Sequence, residues 1–405
     1  MAEATARPGS GLVGAPTPGG DETFVADARR IAEEVAAPLA DTVDREARFP
    51  HETIDALRAA RGLSSAVPEE LGGGGASLGA VAQCCFELGR SCSSSAMVYA
   101  MHQIQVLTIA RHLTPASWFE DYLRELASGQ RLIASATSEV GTGGDMSRSI
   151  AAVTPGEHDH HLTFEKQATT VSYGAHADDL LTTLRRNPDA EPGDQVLVLT
   201  SADQTTLEPA GAWDTLGMRG TCSPGFVVRA GFAPEQVMAT PFSELMAHSM
   251  VPLSHLLWSN VWLGIATDAC ERARAFVRAG ARARPGEAPK AAQRLSHVMA
   301  DLALLRSQVA QALDDFSRAD ASEGRANLST MASVLRFNNL KLAVSEHAPR
   351  VCGAALEVIG ILGYKNDTPY SVGRHLRDVL SARLMVANER IHSTNASLLL
   401  IAKDV

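Results

Sequence analysis

The chain has 405 residues, 45% of them apolar and 20% charged, the balance of a globular protein with a large core. With 46 acidic and 36 basic residues its net charge is −10, which argues against a nucleic-acid surface, because such a surface needs concentrated Lys and Arg. No apolar run of about 18 residues occurs, so no membrane span is expected, and the six cysteines form neither a C-x-x-C pair nor a zinc spacing, so reduced thiols in a cytoplasmic protein are the expectation.

Met1 to Gly20 is rich in Gly, Pro, Ala and Thr and lacks the basic start and apolar core of a signal peptide, which reads as a disordered arm. From residue 21 to 130 the pattern is helical. Phe24–Ala40 and Pro50–Arg61 carry apolar residues at helix spacing, four glycines at 72–75 mark a loop, and Ser77–Leu113 and Trp118–Leu126 complete the section. Residues 131–246 change texture. Leu132–Thr137, His160–Phe164, Gln167–Tyr173, Asp179–Leu184, Gln195–Thr200 and Gly225–Ala230 are short strand-like segments, which predict a small antiparallel β unit. From 247 to 405, Ala/Leu/Arg-rich stretches predict long helices again. The fold class is α+β, mainly α.

Four segments carry the chemistry. The first, Ser138-Glu139-Val140-Gly141-Thr142-Gly143-Gly144-Asp145, follows a strand that holds Ser135 and Thr137. Bare glycine backbone lets N–H groups approach a flat ring or a phosphate, although a plain strand-to-loop turn explains the segment equally well by itself. The others are Leu216-Gly217-Met218-Arg219-Gly220-Thr221, then Arg282-Ala283-Arg284-Pro285-Gly286 with Gln293, and Glu357-Val358-Ile359-Gly360-Ile361-Leu362-Gly363-Tyr364 followed by Arg377-Asp378.

In this order and spacing the segments resemble the acyl-CoA dehydrogenase family of flavoproteins. The resemblance implies an N-terminal helical domain, a middle β domain and a C-terminal four-helix bundle. It implies FAD, with Ser135, Thr137, Ser138, Gly143, Gly144, Thr170 and Asn388 near the flavin. Arg282, Gln293, Glu357 and Gly360 would serve the flavin of a neighbouring subunit, in a dimer or tetramer. A guanidinium suits that task because it grips phosphate oxygens in pairs. Departures stand at Val140, Gly144, Pro285, Glu357 and Ile361. At Ala168 the family has an aromatic over the flavin, so extra room beside the ring is expected there.

The family's reaction needs a carboxylate to take a proton from the carbon beside a thioester carbonyl. The family pattern places it either a short way after the R-D arginine, here Val386-Ala387-Asn388, or ten residues before a glycine, here Ser254 before Gly264. Neither is an acid. Glu389 and His255 are the substitute catalytic candidates, and His102, Ser254 and His255 the candidate pocket residues; an imidazole titrates near neutrality. For Glu389 the plainer reading is a surface acid paired with Arg390 or Arg383. The leading reading is FAD-dependent α,β-dehydrogenation of an acyl-CoA or acyl-carrier-protein thioester, with hydride passing to flavin N5 and then to an electron-transfer flavoprotein. A monooxygenase or oxidase using reduced flavin and oxygen is the alternative on the same fold. A flavin-free partner subunit is the third reading.

Overall fold

The computed structural model describes residues 20–158, 160–285, 290–322 and 325–401. The expected arm before Gly20, Gly286 of the arginine segment and Ala402 of the closing helix lie outside these residues. Gly20 itself opens the first helix, α1 (Gly20–Ile31), which runs through a π-turn into α2 (Ala37–Glu46). Then follow α3 (His51–Ala59), α4 (Leu78–Ser91), α5 (Ser93–Arg111) and α6 (Trp118–Gly129). Ser77 caps α4 by accepting the Ala80 N–H at 3.2 Å, and Cys92 in extended conformation separates α4 from α5. Nearly every residue of α5 is buried, in keeping with its even apolarity all round.

Seven strands follow: β1 (Ile133–Ala136), β2 (Thr154–Pro155), β3 (Leu162–Ala168), β4 (Asp179–Arg185), β5 (Gln195–Ser201), β6 (Thr205–Pro209) and β7 (Phe226–Phe232). They form a three-stranded sheet in the order β1-β4-β5 and a four-stranded sheet in the order β2-β3-β7-β6. The expected purely antiparallel unit is corrected here, because β1 runs parallel to β4, with Ser135 opposite Leu181. The two strand segments expected around 160–173 are one strand, β3, and its chain leaves the sheet at Thr169.

The helical section returns with α7 (Phe242–Leu245), a π-turn at Met246–Met250, and three long helices, α8 (Val251–Ala283), α9 (Ala291–Ser322) and α10 (Met331–Ile359). Short α11 (Ile361–Tyr364) and α12 (Gly373–Val379) precede α13 (Asn388–Leu399), which packs on α10. The architecture is the acyl-CoA dehydrogenase fold, mostly helical with a small sheet region. No described helix is long and apolar enough to cross a membrane.

Central helix α8 packs on α4, α5, α9 and α10. Its approach to α4 requires Gly264, where a Cβ would lie 2.5 Å from the Phe86 carbonyl oxygen. The sections are joined by a latch made from two of the sequence segments. Arg377 donates to Asp44 Oδ1 at 2.9 Å and to the Leu216 carbonyl at 3.0 Å. Buried Asp378 accepts the Met218 N–H at 2.7 Å, and Arg219 donates to the Asp44 carbonyl at 2.9 Å. Burial pushes the Asp378 carboxyl up against the pull of Arg374. Asp378→Ala leaves the buried Met218 N–H without this acceptor and is expected to cost about 2 kcal/mol in denaturant unfolding; an unchanged midpoint would contradict the latch.

Candidate functional site

The glycine-rich loop leaves β1 and is held from both ends. Ser138 Oγ donates to the Thr170 carbonyl at 3.0 Å and accepts the Thr170 N–H at 3.2 Å, which ties the loop to the end of β3. Glu139 is buried and accepts from Ser149 Oγ at 2.7 Å and from the N–H groups of Ile150 and Ala151 at 3.0 and 2.7 Å. Its ion-pair partner is Lys166, 3.8 Å away and also buried, whose ammonium donates to the Thr183 carbonyl and hydroxyl at 2.7 and 2.8 Å. Burial pulls the Lys166 ammonium down to about 8, with Glu139 opposing. Glu139 and Lys166 therefore anchor the loop from inside.

The outer side of the loop is open. Thr137 and Ser138 are half-buried, Gly143, Gly144 and Thr170 are exposed, and Gly143 and Gly144 sit at φ +61° and +83°, where a side chain is disfavoured. Hydroxyls beside bare backbone fit the polar edge of a flat ring. Ser135 is half-buried on β1. Ala168 is buried: β3 alternates, and Ala168 turns inward with Phe164 and Lys166.

The segment expected to carry the base meets this loop directly. Arg390, on the first turn of α13, donates to the Gly143 carbonyl. Behind it lies Lys341 of α10, fully buried, whose Nζ donates to the Val386 carbonyl at 3.0 Å and to Asn388 Oδ1 at 2.6 Å. Asn388 also bonds Ser345 Oγ and donates to Glu346 Oε1 at 3.0 Å. Val386 has φ +46°, a strained conformation for a β-branched residue. Burial pulls the Lys341 ammonium down to about 8, with Glu346 opposing.

The Val386 carbonyl thus bonds an amine, and His255, the neighbour of Ser254, feels the charge of the same amine. His255 lies on α8 beside half-buried Ser254, and its Nδ1 faces the Phe337 carbonyl at 3.2 Å, one turn before Lys341. Burial, then the Lys341 charge, hold this imidazole down at about 3, so it is neutral and a poor base near pH 7. Glu389 is exposed on α13, and its expected partners are engaged elsewhere: Arg390 with Gly143, Arg383 with Glu346 at 2.8 Å. Asn388, expected near the flavin, spends its side chain within this buried network.

His102 requires a correction. It is fully buried; its Nδ1 accepts the Ile133 N–H at 3.1 Å and its Nε2 faces the Leu63 carbonyl at 2.7 Å, so it braces β1 rather than lining a pocket. Trp258 and Trp262 are core residues, their rings 6.3 Å apart. Arg282, Gln293, Glu357 and Gly360 are exposed, on α8, on α9, and at the end of α10. Lys341, Ser345 and Glu346 had no place among the sequence candidates. The one local signal was a lysine within the apolar run Phe337, Leu340, Leu342 and Val344.

Helices flanking two small sheets, with an open glycine-rich loop set against a buried polar cluster, define the class of flavin-dependent oxidoreductases with this fold. The family models for the N-terminal and C-terminal domains of acyl-CoA dehydrogenase match residues 20–130 and 252–392, and the chain belongs to the acyl-CoA dehydrogenase family. Amino sugar nitrososynthase DnmZ of Streptomyces peucetius is 28% identical over 84% of this chain and 84% of its own. The mitochondrial short-chain specific acyl-CoA dehydrogenase of Sus scrofa is 24% identical over 86% and 82%. The solved structure of KijD3 in complex with FMN and dTDP-3-amino-2,3,6-trideoxy-4-keto-3-methyl-D-glucose superposes with a TM-score of 0.80 at 23% identity, covering 98% of each chain.

Burial sets an acid limit on the fold. His102 is held down at about 4, chiefly by desolvation, and His112 and His255 at about 3. The unfolded chain takes up each proton near pH 6.5 while the folded chain resists. The stability is therefore complete above pH 6.5 and lost as pH falls toward 4. His102 alone accounts for about 3 kcal/mol of that loss. His102→Gln, whose amide can both accept from Ile133 and donate to Leu63, is expected to flatten the pH dependence of urea unfolding between these limits; an unaltered slope would refute the assignment.

Proposed function

We propose that this protein uses reduced flavin and oxygen to oxygenate an amine, rather than dehydrogenating an acyl thioester. The observation that carries this reading is that Val386 and Ser254, not a carboxylate, stand at the two family positions, backed by the Lys341 ammonium and a neutral His255. The nearby acid, Glu346, already accepts from Asn388 and Arg383. Glu389 as the base would need its exposed carboxylate to turn inward past Arg390.

An electropositive interior also suits an amine substrate. It disfavours the ammonium form, leaving the nitrogen lone pair free for attack on oxygen. The names of DnmZ and of the KijD3 complex concern amino sugars, which accords with this choice. In the balanced reaction one oxygen atom enters the substrate, the other leaves as water, and reduced flavin supplies two electrons. The bound flavin would contribute the activation of oxygen. This chain's residues would present Ser138, Thr170 and the backbone of Gly143 and Gly144 to its ring, and keep bulk water from the buried side.

The mononucleotide is the part of the cofactor that these residues serve. FAD would need the adenylate-side set Arg282, Gln293, Glu357 and Gly360 from a neighbouring copy, and Glu357 brings a negative charge toward an anionic cofactor. FMN is therefore expected to bind with an affinity within about tenfold of FAD.

Anaerobic addition of short- and medium-chain acyl-CoAs should leave the flavin oxidised. With a flavin reductase and NADH, 18O2 should place label in an amino-sugar nucleotide, read by mass spectrometry. Flavin bleaching by an acyl-CoA without added reductant would overturn this reading in favour of thioester dehydrogenation.

A further inference from the structure

We propose that Lys341 is a positioning residue for this site, an ammonium clamp that holds the 384–388 turn in the shape the cofactor side requires. The clamp rests on geometry. Lys341 is fully buried on α10, yet its Nζ reaches two oxygens of a segment more than 40 residues away, the Val386 carbonyl at 3.0 Å and Asn388 Oδ1 at 2.6 Å. Those oxygens bracket the turn between Leu384 and the start of α13. Val386 within it is left-handed at φ +46°, which a β-branched residue adopts only when its surroundings hold it there. The far side of the same turn carries Arg390, which grips Gly143 of the glycine-rich loop. A change in the turn is thereby transmitted to the loop.

A burial cost argues that the charge has a task. Phe337, Leu340 and Val344 of the same helix are buried and apolar, so a methionine would fill the place without desolvating an ammonium. An ammonium is kept where bonds to a backbone carbonyl and a side-chain amide oxygen are both needed, because charge-assisted hydrogen bonds are about twice as strong as neutral ones. The groups around it are His255, whose imidazole feels its charge from α8, and Glu346 on its own helix, which is itself paired with Arg383 and Arg350. Desolvation favours the neutral amine and Glu346 favours the ammonium. The clamp is therefore tight at neutral pH and slackens in mild alkali.

The functional importance of the clamp rests on the oxygenase reading above, but its existence does not. Hydrogen–deuterium exchange over residues 384–390 tests it on the full chain, with turnover measured in parallel. In Lys341→Met, exchange there is expected to rise about tenfold while peptides from β3 and β4 keep their protection. Flavin should still bind, and kcat should fall more than KM changes. Glu346→Gln, which keeps an acceptor for Asn388 but removes the charge favouring the ammonium, should match the native chain near pH 6 and exchange faster near pH 8. Native-like exchange in Lys341→Met, or the same pH dependence in Glu346→Gln as in the native chain, overturns the proposal. Raised exchange with native kcat overturns the positioning role and leaves only a structural one. If no amine is oxygenated by the native chain, the oxygenase reading falls, and the exchange data still decide the clamp.

Discussion

Arg377 and Asp378 tie three distant parts of the chain at one point. Arg377 reaches Asp44 at the end of α2 and Leu216 between β6 and β7, and Asp378 takes the Met218 N–H. The chain that follows has little freedom. It leaves α12 through a 3-10 turn at Leu380–Arg383 and enters α13 at Asn388, so a short span is fixed by the latch at one end and by the Arg390–Gly143 contact at the other. Both Lys341 and the glycine-rich loop meet that span. The latch is thus a site determinant as much as a stability device, although neither of its residues touches the polar cluster.

Between those fixed ends the chain carries no acid directed inward. Behind that span the scaffold supports a buried ammonium, Lys341, whose charge must be satisfied by hydrogen bonds. A carboxylate at this depth would accept protons from carbon acids. An ammonium lowers the proton affinity of neighbouring bases, as it does for His255, and leaves nucleophiles unprotonated. The polar partners differ accordingly: Asn388 and the Val386 carbonyl present oxygens to Lys341, where a carboxylate would need donors.

Much of the scaffold was legible in the sequence because its signals are local. The Ala/Leu/Arg-rich stretches that predict long helices after residue 247, and the glycines at 72–75 that mark a loop, each depend on a few neighbouring residues. The parallel pairing of β1 with β4 was not legible, since a four-residue strand such as Ile133–Ala136 carries no alternation that distinguishes parallel from antiparallel partners. His102 was misjudged for a related reason. Its helix is apolar all round, so sequence gives no face, and its partners Leu63 and Ile133 are 39 and 31 residues away. Lys341 escaped notice because a lysine is ordinarily a solvated residue, and the oxygens that justify its burial are 45 and 47 residues downstream.

Glu346 shows why the presence of an acid near the site does not restore the family's usual reaction. Its carboxylate lies close enough to Lys341 to favour the ammonium, yet Asn388 Nδ2 and Arg383 both donate to it, and Arg350 stands 3.6 Å away. A general base must hold a lone pair toward the substrate and gain by protonation. Glu346 instead faces three cations and an amide, so its lone pairs are committed to the cluster rather than to a substrate. Glu346, which was not among the sequence candidates, thus serves the amine.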